Sequence, residues 1–200
     1  MTGKFHITSH ALLNPGGECD LSFVPPMTRR RFSPLQKAAF WLLNNVAPKG
    51  SEPKIVFASR DGEVKLTHDL VETFNDSGDV SPWKFSSSVY NAAPGLYSVF
   101  AGNRSTYTAI AAGDETIESS LIEAVFEEGG AVWCYAEEAD GGFGAAAGIV
   151  PRDSGDGGCR AVEFFDGDET ALPLDFARLA AFLSGASSEV VGRRISLRWA

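Results

Sequence analysis

The sequence predicts an α/β fold: a mixed, mostly parallel sheet flanked by helices, with an antiparallel C-terminal part. Three observations carry this prediction. Short apolar β-rich runs occur at residues 54–59 (KIVFAS), 107–112 and 131–136 (AVWCYA), the pattern of strands buried on both faces of a parallel sheet. Stretches with helical apolar spacing alternate with them, which is the order of a β/α protein. Beyond Gly144 the character changes, because residues 144–150 and 161–165 resemble antiparallel strands joined in a hairpin-like element by the Gly/Asp-rich loop 153–158.

The elements follow in order. Lys4 to Ser9, with Phe5, Ile7 and Thr8, suits an opening strand before the Asn14-Pro15-Gly16-Gly17 loop. A Pro-containing connection runs to Arg31. Ser33-Pro34 is a helix start, with Ser as N-cap and Pro at the first helical position, and Leu35, Ala38, Ala39, Leu42, Leu43 and Val46 continue one face. A second helix is expected from Val64 to Phe74 with Leu66, Leu70, Val71 and Phe74 toward the sheet, closed by Asn75-Asp76-Ser77-Gly78. Asn91 to Phe100 forms another helix, whose start Pro94 and Gly95 shift toward the residues after Pro94. Asp114 can cap a helix reaching Glu127, with Ile117, Leu121, Ile122 and Val125 on one side. A helix over 174–183 and a strand over 194–199 finish the chain.

Composition narrows the functional classes. Two hundred residues, 44% of them hydrophobic, suffice for one domain spanning residues 1–200. A net charge of −9 argues against a nucleic-acid partner, which would require a surplus of Lys and Arg. MTGKFHITSH lacks an apolar run of signal-peptide length and no membrane span is expected, so the expected location is cytoplasmic. Cys19, Cys134 and Cys159 are widely spaced and imply neither disulfides nor a metal site. The loop 153–158 and Asp166-Gly167-Asp168-Glu169 lack calcium-loop spacing, and turn chemistry explains them. Nucleophile elbows, phosphate loops, dinucleotide fingerprints and zinc-protease motifs are all missing. A hydrolase built on Ser87 or Ser88 with His68 and Asp69 has no support in the spacing.

A series of motifs carries a resemblance. They are Arg29-Arg30-Arg31-Phe32-Ser33, Phe57-Ala58-Ser59-Arg60-Asp61-Gly62-Glu63, Ser81-Pro82, Phe85-Ser86, Ser88-Val89-Tyr90-Asn91-Ala92, Gly95 and Thr108-Ala109-Ile110-Ala111-Ala112-Gly113. In this order they resemble the β-ketoacyl synthase-like N-terminal domain family, among them the short chain-length-factor-like proteins of aryl polyene, type II polyketide and fatty-acid synthesis. The resemblance spans roughly Lys4 to Glu138, about two thirds of the chain. It implies half of a thiolase-like fold. In complete ketosynthases the first half supplies a nucleophilic cysteine and the second half, absent from this resemblance, supplies two histidines.

The nucleophile of such a fold belongs at a strand-to-helix junction, where the helix N-terminus lowers a thiol's pKa. The matching junction runs from Ile110 to Asp114 and holds Ile, Ala, Ala, Gly and Asp. No thiol is present there, and Asp114 would repel a thiolate. His6, His10 and His68 match no catalytic motif. Tyr90 stands where the family usually has His, which removes the one imidazole suited to general-base work in that segment.

The resemblance therefore implies a non-catalytic subunit, with no catalytic residue, cofactor or metal of its own. It would form a heterodimer with an active ketosynthase and meet an acyl carrier protein transiently. Phe85, Val89, Tyr90, Asn91, Tyr97, Phe100, Tyr107 and Ile110 are the candidates for an acyl-tunnel wall or subunit interface, with core packing as the competing role for each aromatic. Trp83 belongs to the same aromatic row. Arg29, Arg30 and Arg31, the dense basic cluster of an acidic chain, are candidates for carrier-protein docking, against the alternative of a solvated loop. A half-fold should also leave an apolar face exposed. Two further functions stay open: a stand-alone acyl-thioester enzyme with an atypical site, and a homodimeric acyl-binding module.

Overall fold

A computed structural model describes residues 2–151 and 159–200. Eight strands form one sheet: β1 (Gly3–Leu13), β2 (Ile55–Ala58), β3 (Tyr107–Ile110), β4 (Ala131–Glu137), β5 (Phe143–Pro151), β6 (Arg160–Asp166), β7 (Glu189–Val191) and β8 (Ile195–Trp199). Their order is β3-β2-β4-β5-β1-β6-β8-β7. The helices are α1 (Pro26–Arg29), α2 (Pro34–Val46), α3 (Val64–Ser77), α4 (Pro82–Ser87), α5 (Ala92–Ala101), α6 (Thr116–Val125) and α7 (Phe176–Leu183). The mixed, helix-flanked sheet is the fold class the sequence predicts.

Side-chain alternation divides the core between the two faces of the sheet. Ile55, Phe57, Val132 and Cys134 point to one face, where Leu35, Leu42 and Leu43 of α2 and Tyr97 of α5 cover them. Val56, Trp133 and Ala147 point to the other, against Ile117 and Leu121 of α6 and Leu179 and Phe182 of α7. Trp133 Nε1 donates to Ser120 Oγ at 2.8 Å, which satisfies the indole inside the core and ties α6 to β4. Helix α2 starts where expected, since Ser33 Oγ accepts from Gln36 N and Pro34 occupies the first helical position.

Several expectations need correction. Among the described residues, parallel pairing joins only β3, β2 and β4, and the other five ladders are antiparallel. Strands β5 and β6 form no hairpin, because β1 lies between them and pairs antiparallel with both. This long first strand has apolar residues for both faces, so it fills an interior position that local sequence assigns to neighbours. The loop over 153–158 lies outside the described residues. Strand β3 is not buried: it is the edge of the sheet, bonded only to β2, with Tyr107 and Thr108 exposed.

Helix α3 does not lie against the sheet either. Only Leu70 is buried, whereas Val71 and Phe74 stay exposed beside α4, a helix the sequence did not announce. Helix α1 and strand β7 are likewise additions. Asp114 caps nothing: a 3-10 turn over Gly113–Glu115 precedes α6, and Thr116 Oγ1 accepts from Ala112 N at 2.9 Å. Helix α5 begins at Ala92, with Pro94 in the first turn, where its missing N–H has no partner to lose. Among the described residues no helix is long and apolar enough to cross a membrane.

Candidate functional site

The parallel strands β2 and β4 end together, and the loop after β2 is held there by one buried carboxylate. Glu137, the last residue of β4, accepts from Ser59 Oγ at 3.0 Å, Asp61 N at 3.4 Å and Arg60 N. The Tyr135 hydroxyl also bonds it, and Ser59 Oγ in turn accepts from Gly62 N at 2.9 Å. Burial pushes the Glu137 carboxyl above its ordinary value against these donors, and burial with the Glu137 charge pushes the Tyr135 phenol up. The loop Arg60-Asp61-Gly62-Glu63 is thus fixed by side chains rather than by a ladder.

Tyr90 completes the arrangement from the other side. Its hydroxyl accepts from Ser59 N at 2.9 Å and reaches the carbonyls of Ile110, at 2.6 Å, and Ser59. It therefore bridges β2 and β3 where their parallel ladder stops. Gly62 lies against the ring: it has φ +60°, and a Cβ there would stand 2.9 Å from Tyr90 Cδ2. Only glycine combines that backbone with that approach. Burial, the largest cause, pushes the Tyr90 phenol up to about 12.

From Ile110 the chain passes through exposed Ala111, Ala112, Gly113 and Asp114 into α6. Here Arg60 Nη1 lies 2.8 Å from Asp114 Oδ1, with Asp61 Oδ1 3.8 Å from its Nε. Two clefts flank this pair. One, of about 520 Å³, is lined by Arg60, Gly113, Asp114, Thr116, Ile117, Tyr135, Phe143 and residues 173–177. The other, of about 610 Å³, lies between Pro34, Arg60, Asp61, Val64, Lys65 and residues 137–139. Neither lining contains a cysteine or a histidine. Cys134 is buried inside β4, where burial pushes its thiol far up, and His68 is exposed on α3 beside Glu72. The clefts offer apolar walls and a neutralised cation, which suit binding and positioning.

The residues singled out from sequence fall into separate groups. Tyr90 and Ile110 meet at the strand ends. Asn91 and Tyr107 are both exposed and lie together at the β3 edge, 3.5 Å between Nδ2 and Oη. Tyr97 is core, edge-on to Phe40, while the partly exposed Phe100 packs on Phe40 and Phe23. Burial pushes the Tyr97 phenol up to about 12. Val89 is exposed, and Phe85, 62% exposed, lines an apolar recess of about 360 Å³ with Leu70, Val71 and Phe74. Of the three arginines, Arg29 donates to the Leu21 carbonyl at 3.4 Å, Arg31 sits 5.5 Å over the Trp83 ring, and Arg30 and Arg31 face solvent.

Sequence reading missed Glu137 and Val99. Glu137 ends an apolar strand, and a carboxylate directly after such a run was the available signal. Val99, 84% exposed on α5, carries no local mark that sets it apart from core. The expected apolar face is also relocated. Helices α2 and α5 cover one face of the sheet and α6 and α7 the other, and exposed Val71, Phe74, Phe85, Val89, Val99 and Tyr107 belong to α3–α5 and the β3 edge.

Residues 8–129 match the β-ketoacyl synthase, N-terminal domain, family. Two solved structures share the fold. A chain of the ketosynthase (ApeO) in complex with its chain length factor (ApeC) from Xenorhabdus doucetiae is 17% identical with a TM-score of 0.75, and the match covers 99% of this chain and 99% of that one. A chain of the ishigamide ketosynthase/chain length factor is 17% identical with a TM-score of 0.55, covering 86% of this chain and 60% of that one. Among curated protein sequences none matches.

Proposed function

The chain belongs to the β-ketoacyl synthase N-terminal domain family, and from that membership we propose that it is a non-catalytic, chain-length-factor-like subunit. It pairs with an active ketosynthase and shapes the path of the growing acyl chain in polyene, polyketide or fatty-acid elongation. The observation that carries this reading is the junction between β3 and α6. It has the strand-to-helix form that activates a thiol in this family, yet it presents Ala111, Ala112, Gly113 and Asp114, with Asp114 paired to Arg60.

The α3–α5 surface supports the choice of partner. Strand β3 has one unpaired edge, a surface on which another chain's strand can continue the sheet. Its own Tyr107 is exposed, and α5 and α4 add the exposed Val99 and Phe85, the apolar composition of an interface rather than of a free surface. On this reading Val89, Asn91 and Phe100 contribute to the contact, and Tyr90 with Ile110 acts behind it by holding the strand ends. Tyr97 contributes by packing α5. Arg30 and Arg31 offer an acidic carrier protein its electrostatic contact, worth more to encounter rate than to affinity.

Co-expression with a ketosynthase encoded beside it tests the reading: a stable heterodimer is expected, and a well-folded chain that never binds one refutes it. Val99→Asp should leave the fold intact and weaken the heterodimer by about 30-fold or more, the effect of losing an interface hot spot. The isolated chain, incubated with acyl and malonyl carrier-protein thioesters, should show neither decarboxylation nor hydrolysis above blank. Turnover there would favour a stand-alone enzyme.

A further inference from the structure

Glu63, the residue that leads into α3, is only 3% exposed and meets the start of α2 and the end of α4. Its Oε1 accepts from Ser33 Oγ at 2.8 Å and from Gln36 Nε2 at 2.9 Å. The second hydrogen of Gln36 Nε2 goes to the Ser87 carbonyl at 3.1 Å. Every donor in the cluster is then used. Two buried acceptors are left over, Glu63 Oε2 and Gln36 Oε1, and neither has a partner.

An ionised Glu63 would leave two buried acceptors without a donor, one of them sharing a charge, which is among the costliest arrangements in a protein interior. Turning the Gln36 amide over does not help, because its oxygen would then oppose both Glu63 Oε1 and the Ser87 carbonyl. One proton on Oε2 resolves both orphans at once.

We propose that Glu63 is held as the neutral acid in the folded chain and that its proton closes a cyclic acid–amide pair with Gln36, which through the Ser87 carbonyl seats α4 on α2. The charges around it agree. From the end of β4 the Glu138 carboxylate disfavours a second negative charge, α2 and α4 contribute the neutral Ser33, Gln36 and Ser87 carbonyl, and Arg60 and Asp61 of its own loop are exposed. Burial is the largest influence and pushes the carboxyl up to about 7, with Glu138 adding to it.

The device makes α4, which carries Trp83 and Phe85, sensitive to pH near neutrality. The folded chain holds the proton more tightly than the unfolded chain, so stability falls as pH rises from 4.5 to about 7 and is level above that.

The test compares the full chain with Glu63→Gln, whose amide preserves the ring without a titrating proton. Across that pH window the unfolding equilibrium constant of the wild type should rise by about two orders of magnitude relative to the variant. Exchange of the α4 amides, corrected for intrinsic rate, should accelerate with pH in the wild type alone. A second measurement does not depend on the variant's folding: in the wild type labelled with carboxyl-carbon glutamate and assigned through bonds, the Glu63 resonance should titrate near 7. A constant ratio between wild type and variant across the window, or a Glu63 resonance that titrates in the ordinary carboxyl range, would overturn the proposal.

Discussion

Replacing Tyr90 with Phe removes one oxygen from the point where β2 and β3 end. That oxygen accepts from Ser59 N at 2.9 Å and donates toward the Ile110 carbonyl at 2.6 Å, with the Ser59 carbonyl also in reach. Ser59 N keeps a long bond of 3.4 Å to the Ile110 carbonyl, so the amide is weakened rather than orphaned, while the carbonyl side loses its O–H donor. A buried polar group deprived of its partner costs ~1–3 kcal/mol. We take ~2 kcal/mol, a factor of about 30 in the folding equilibrium. For a domain of this size that lowers Tm by about 4–8 °C.

Urea and thermal unfolding of the isolated chain measure it, with an unchanged denaturant slope as the sign that only stability moved. The phenol is held neutral up to about 12, so the loss should be the same at every working pH. Tyr90→His, which restores the residue usual in the family, should cost at least as much, because the shorter ring also gives up its packing against Phe57 and Gly62. A Tyr90→Phe loss below ~0.5 kcal/mol, within the scatter of surface substitutions, would refute the hydroxyl's role as a pin.

Two further outcomes follow from buried groups elsewhere. Glu118 on α6 accepts from Leu174 N at 2.6 Å, Arg193 N at 3.0 Å and Arg194 N, so Glu118→Ala should destabilise the chain by ~3 kcal/mol or more and open the turn between β7 and β8 to hydrogen exchange first. Cys134 is fully enclosed while Cys19 and Cys159 are half-buried, so a thiol reagent should label the latter two in the native chain and Cys134 only at the rate of unfolding; fast native labelling of all three would contradict the packing of β4.

The local rules held where one segment settles its own conformation. Ser33-Pro34 starts α2 because the cap and the proline act within one turn, and IVFA and AVWCYA form strands because their neighbours on both faces are apolar. The rules failed where the partner is distant. Nothing within residues 64–77 distinguishes a stripe that meets the sheet from one that meets α4, and nothing in β5 or β6 indicates that β1 will come between them. The candidate site divides in the same way: the thiol-free junction is visible in the string Ile110 to Asp114, whereas the Glu137 clamp joins residues 76 to 78 positions apart.

By itself the sequence determined the family motifs, the helix-flanked mixed sheet and the absence of a cysteine at the β3–α6 junction, because each is written in residue identity and local spacing. Tertiary structure alone decided that β3 is an open edge, that Tyr90 pins two strands, and that Glu63 and Gln36 share a buried cluster. Those properties depend on which distant groups compete for the same donors, acceptors and apolar surface once the chain has closed on itself.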